Sequence, residues 1–192
     1  MGSWAYSYTT TGRAATTTTA TVTRMPNGTW QLTLRDSVGA GADQTFEMRS
    51  DGLYITGAVA YNGTGSRAAC RLPSPAPLYI PNPLVPGRHW TLILSCPTFD
   101  VRGDFERTQV DNTVSGFETI AVGGQSVRVA RIDASSTTQG PFSQRGHETV
   151  YLDPDLGLPV KHVSDSSGVV NAHSEETLLA LTPTGASAKP QP

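Results

Sequence analysis

The sequence predicts an all-β protein, a curled antiparallel meander of about ten strands forming an open barrel or half-barrel. Three observations lead there. Apolar and polar residues alternate with a period of two along most of the chain, and turn dipeptides interrupt the alternation at short intervals. No segment carries an apolar stripe at helical spacing.

Trp4, Tyr6 and Tyr8 alternate and so share one side of a first strand. The threonine-rich run from Thr16 to Thr23 extends readily, because β-branched side chains are stiff at χ1 and sustain a helix poorly. Pro26-Asn27-Gly28 turns the chain into a strand marked by Trp30, Leu32 and Leu34. After the Gly39-Ala40-Gly41 loop, Phe46 and Met48 lead to the Asp51-Gly52 hairpin signal, and Leu53 and Ile55 begin the return. From Tyr61 to Gly87 the alternation breaks, and a ladder is not expected through prolines 73, 75, 77, 81, 83 and 86. Leu78, Tyr79, Ile80 and Leu84 make this stretch apolar. It reads either as a stiff crossover between two halves (residues 73–87) or as a lip over a cavity. Trp90, Leu92, Leu94 and Cys96 then share a face, and Glu148, Val150 and Leu152 precede the Asp153-Pro154-Asp155-Leu156-Gly157 turn. Val169 to Leu181 closes the meander. Residues 1–181 are expected to form a single β domain and residues 182–192 a disordered tail.

The clearest local signal is the stretch Val114 to Ile132. A two-residue turn at Gly123-Gly124 places Val122 opposite Gln125, Ile120 opposite Val127 and Glu118 opposite Val129. Glu118 is then the polar exception on an apolar face, expected on the inner side of the sheet with an arginine or an aromatic polar tip as its partner.

Composition narrows the function classes. A formal net charge of −2 with 16% charged residues and scattered arginines leaves no basic footprint for nucleic acid. No apolar run is long enough for a membrane-spanning helix. Met1-Gly2-Ser3 can stand in place of a removed leader, which leaves room for a lipid anchor upstream. Cys70 and Cys96 form an even pair on alternating strands. Bonded, they suit an exported chain and close a loop worth about 3.5 kcal/mol in the chain-entropy treatment. Two buried thiols would leave the same pattern.

No catalytic constellation stands out. The histidines His89, His147, His162 and His173 lack metal-type spacing, so no metal or other cofactor is expected and surface or loop positions are. Gly123-Gly124-Gln125-Ser126 lacks the helix that a nucleophile elbow requires, and Asp153 and Asp155 flank a proline, as turn residues do. An enzyme would need Glu118, His147, Asp100, Asp104 or His162 to converge in pairs. Two glycosylation sequons, at Asn27 and Asn62, and the tripeptide Arg102-Gly103-Asp104 are short enough to be incidental.

The hairpin GFETIAVGGQSVRVARI, the later ETVYLDPDLGLPVKHVSDSSG and the entry Pro83-Leu84-Val85-Pro86-Gly87-Arg88-His89-Trp90 together resemble a group of bacterial exported or lipid-anchored envelope proteins, over roughly residues 83–170. Many of these resemble the antiparallel half-barrel of the lipoprotein-carrier (LolA/LolB-like) type, which holds acyl chains or peptides on its concave face. The resemblance implies a non-catalytic extracytoplasmic protein, secreted or anchored to the cell envelope. It would hold an apolar small molecule, a lipid or peptide, or an envelope partner on the concave face. Glu118, Trp90, Trp30 and Tyr79 are the candidate binding residues. The rival expectation is an interaction or assembly module with a filled core, and the third an enzyme of unrecognised type.

Overall fold

The computed structural model describes residues 2–12, 14–99, 104–168 and 171–183. They form thirteen strands. The first seven are β1 (Gly2–Thr10), β2 (Thr16–Arg24), β3 (Trp30–Arg35), β4 (Gly41–Arg49), β5 (Gly52–Tyr61), β6 (Arg67–Ala69) and β7 (Leu78–Pro81). The rest are β8 (His89–Pro97), β9 (Phe105–Val122), β10 (Gln125–Gln139), β11 (Gln144–Asp153), β12 (Leu158–Gly168) and β13 (Ala172–Leu178). Asp100, Arg102, Gly103 and the greater part of the expected C-terminal tail lie outside the described residues.

Nearly every strand pairs antiparallel with its neighbour in sequence, and β1 pairs β13 through Tyr6 and Leu178, so the two ends of the meander meet. The resulting sheet is a nearly closed barrel. Its weak seam lies mid-chain, where β6 faces β8. One bridge pair crosses there, with Arg71 N–H donating to the Ser95 carbonyl at 2.6 Å and Ser95 N–H to the Arg71 carbonyl at 2.9 Å. The Cys70–Cys96 disulfide crosses at the same place. The bond therefore staples the seam where, among the described residues, the hydrogen-bond ladder is thinnest.

The crossover behaves differently from the expectation that no ladder passes through it. Pro81 supplies no N–H, yet Leu78–Pro81 pairs with Gly52–Tyr54, and Arg67–Ala69 pairs with the far end of β5. Two short strands thus share one long edge. The prolines limit each pairing to a few residues, which is where a sheet edge tolerates them.

The hairpin has the register read from its glycines. Val122 faces Gln125, Ile120 faces Val127, and Glu118 faces Val129. Gly123 and Gly124 take φ of 55° and 80°, both of which a primed two-residue turn requires. A bulge follows opposite Arg131 and Ile132. The flanking strands stop short: β8 ends beside Thr113 and β11 beside Ala130, which leaves the outer hairpin as a two-stranded ribbon. Its valines 122, 127 and 129 pack with Trp4, Tyr6, Leu158, Val160 and Leu178. Glu118 is solvent-exposed, contrary to the inner-face expectation. The register is right, but no third strand lies beside Glu118 to enclose it, and a two-stranded ribbon twists more strongly than a sheet.

Buried apolar side chains form three clusters. One is around Trp4 and the ribbon valines, one around Phe46 and Ile55, and one around Val114, Ile132 and Leu152. The space between them is a cavity.

Candidate functional site

Two adjoining spaces, with six lining residues in common, lie among these clusters. The outer one, of about 570 Å³, is lined by Val22, Trp30, Leu32, Phe46 and Leu53 of the N-terminal strands and by residues 79–84 of the crossover. Leu152, Leu156, Leu158 and the ribbon residues Phe117 and Arg128 complete it. The inner one, of about 270 Å³, shares Leu32, Tyr79, Ile80, Leu152, Leu158 and Pro159 with the first and continues to Trp90, Leu92, Val110 and Ile132. A cavity of this size and lining suits a small apolar body oriented by a few polar groups.

The proline-rich segment forms one wall. Tyr79 stacks at a tilt on Phe46, with ring centroids 4.8 Å apart. Trp90 Nε1–H donates to the Tyr79 carbonyl at 3.0 Å, which ties the wall to β8. Residues 79–84 of this segment thus line the space while the segment also links β6 to β8. At the mouth, the guanidinium carbon of Arg128 sits 4.7 Å from the Phe117 ring centroid. Met48, Phe117 and Leu156 are exposed there.

The inner chamber is polar on one side. Glu148, His162 and Glu176 come from β11, β12 and β13, and Val150 pairs with His162, which in turn pairs with Glu176. His162 Nε2 lies 3.1 Å from Glu148 Oε2. That contact holds the Glu148 carboxyl below its ordinary range, whereas burial pushes Glu176 above it. Tyr6 donates to the Pro159 carbonyl at 2.9 Å. Its phenol is pushed up by burial and by the nearby Glu176 charge, and that of Tyr79 by burial and Glu148. Gln44 Oε1 is buried with no hydrogen-bond partner among the described residues. No lysine or arginine among the described residues lines the chamber.

Three of the four candidate residues meet here. Trp30 lines the outer space, Trp90 the inner and Tyr79 both, while Glu118 lines neither. His89, His147 and His173 are exposed, but His162 lies on a strand and lines the chamber, which corrects its expected surface or loop position. The sequence reading did not single out Glu148 or Glu176 as site residues. The signal was their parity: Glu148 alternates with Val150 and Leu152, Glu176 with Leu178, and His162 with Val160, so each charged or polar group sits on an apolar face. The sequon asparagines close local turns, Asn27 Oδ1 accepting from Thr29 and Asn62 Oδ1 from Thr64 and Ser66.

No protein-family model matches the chain, and no curated protein matches it by sequence. Solved structures do match in shape. The hypothetical lipoprotein YmcC of Escherichia coli is 12% identical with a TM-score of 0.50, the match covering 95% of this chain and 85% of that one. A lipoprotein candidate from Parabacteroides distasonis is 11% identical with a TM-score of 0.56, over 93% of this chain and 94% of that one. The fold is YmcC-like. An exported-protein candidate from Bacteroides fragilis, described by that same fold, is 13% identical with a TM-score of 0.56 over 92% and 93% of the two chains. The YmcC-like barrel is a finer placing than the lipoprotein-carrier half-barrel suggested by sequence, whose helical lid has no counterpart among the described residues.

Proposed function

We propose that the protein is an extracytoplasmic, non-catalytic binding protein that holds one apolar or amphipathic small molecule inside its barrel. The observation that carries this is the outer cavity of about 570 Å³, walled by aromatic and aliphatic side chains where a sheet of this length could have closed on a filled core. The disulfide supports an oxidising compartment, since such bonds persist outside the cytosol. Two structural neighbours described as lipoproteins and one described as exported support the same place. Met48 and Leu156, exposed beside the mouth, are suited to meeting the surface or partner that delivers the ligand.

The test is quenching of the protein's tryptophan fluorescence by a brominated fatty alcohol. Trp30 and Trp90 line the two spaces, so saturable one-to-one quenching is expected, reduced when Trp30 is replaced by Phe. Quenching that rises linearly without saturation would argue for a filled core and an interaction module instead.

A further inference from the structure

We infer that the ligand is a single-chain amphiphile whose head is a protonated amine, held in the inner chamber while its apolar body lies in the outer cavity. This rests on the binding function proposed above and adds the chemistry of the head.

The chamber offers acceptors and an excess of carboxylates. Glu148 and Glu176 both line it, and His162 is the only basic residue beside them in the lining among the described residues. Several of its donors are occupied: the Tyr6 hydroxyl binds the Pro159 carbonyl, the Trp90 indole N–H binds the Tyr79 carbonyl, and Asn112 Nδ2 binds the carbonyls of Val110 and Trp90, while Tyr79 and Gln44 bring a further hydroxyl and amide N–H to the lining. The acceptors are less so. Glu148 is engaged by His162 on Oε2 and by the Ser136 hydroxyl, Glu176 has the Thr18 hydroxyl beside it, and Gln44 Oε1 has no partner among the described residues. A buried acceptor without a donor is unfavourable, and an ammonium head brings three N–H donors together with the charge that a desolvated carboxylate lacks. A phosphate, sulfate or carboxylate head would find no arginine or lysine in the chamber and two carboxylates facing it. Arg128 lies at the outer cavity over Phe117, away from the chamber lining.

Leu32, Leu152, Leu158 and Pro159 line both spaces, which therefore adjoin, and the proposed ligand extends across these residues from beside Met48 and Leu156 towards the carboxylates. An ion pair formed there, with the carboxylates partly buried, is stronger than one fully at the surface.

The experiment compares dodecylammonium, dodecanol and dodecanoate by isothermal titration near neutral pH, all below their aggregation concentrations. Dodecylammonium is expected to bind about tenfold or more tighter than dodecanol, with dodecanoate weakest. E176Q and E148Q should each bring the ammonium ligand towards the alcohol, and circular dichroism with the urea unfolding midpoint of each variant shows that it is folded. Dodecanol binding as tightly as dodecylammonium, or both variants leaving the preference intact, overturns the head-group assignment and leaves apolar binding standing. Failure of all three ligands to bind overturns the binding function itself.

Discussion

Trp90 donates its indole N–H to the main-chain carbonyl of Tyr79 at 3.0 Å, and that bond ties the proline-rich crossover to β8 while its other side pairs with β5. On the β5 side the attachment is main-chain, Ile55 N–H donating to the Pro77 carbonyl at 3.1 Å and Asn82 N–H to the Asp51 carbonyl at 2.9 Å, whereas on the β8 side the Trp90 indole supplies it. Trp90→Phe keeps an aromatic ring but removes the donor. A loss of about 1 kcal/mol in urea unfolding is expected, together with weaker ligand binding, because the Tyr79 carbonyl is left without this partner. Unchanged unfolding and unchanged binding would show that the wall holds without this bond.

The Cys70–Cys96 bond crosses the only part of the barrel wall closed by a single bridge pair among the described residues. Its loop of sequence separation 26 leads to an expected destabilisation of about 3.5 kcal/mol on changing both cysteines to serine, in the chain-entropy treatment. Comparing the midpoint of denaturant unfolding with and without reductant measures this. A double variant as stable as the parent would mean that the β6–β8 seam holds without its staple.

Glu148 and Glu176 should give stability–pH curves of opposite sign. Glu148 is held below its ordinary value of 4.5 by His162, so its contribution is complete above that value and lost as the pH falls through the lower folded-state pKa. Glu176 is raised by burial, so the fold favours its protonated form, and stability declines as the pH rises from 4.5 through the higher folded-state pKa. Thermal melts across the acid range are therefore expected to show Glu176→Gln gaining on the parent as pH rises and Glu148→Gln losing to it. Parallel curves for both variants would contradict the inward placing of the two carboxylates.

Glu118→Gln is expected to change stability by no more than about 0.5 kcal/mol, the usual range for an exposed position, and to leave binding untouched. The exposed ribbon position of Glu118 is the reason. A larger effect in either measurement would place this carboxylate against a partner after all.

Local pattern made much of this molecule legible. The register about Gly123-Gly124 follows from turn geometry, and the alternation of Trp4 and Tyr6 places both in the core, because these signals are fixed by neighbours within a few residues. What escaped depended on distant strands. Glu118 has the right register, yet whether its face is enclosed depends on where β8 and β11 end. Leu78–Pro81 looks like a breaker and becomes a strand because β5 offers a free edge beyond its pairing with β6. The Glu148, His162 and Glu176 constellation assembles across three strands, so neighbouring spacing never displays it, and only the parity of each residue with its apolar neighbours hints at an inward position.

The most direct test of an occupied barrel is native mass spectrometry of the full chain after exposure to a bacterial envelope lipid extract. One amphiphile per chain, retained on gentle desolvation and displaced by dodecylammonium, is the expected result. A bare protein mass at every lipid concentration, in a chain whose disulfide is intact, would contradict the claim that the barrel interior is a binding site.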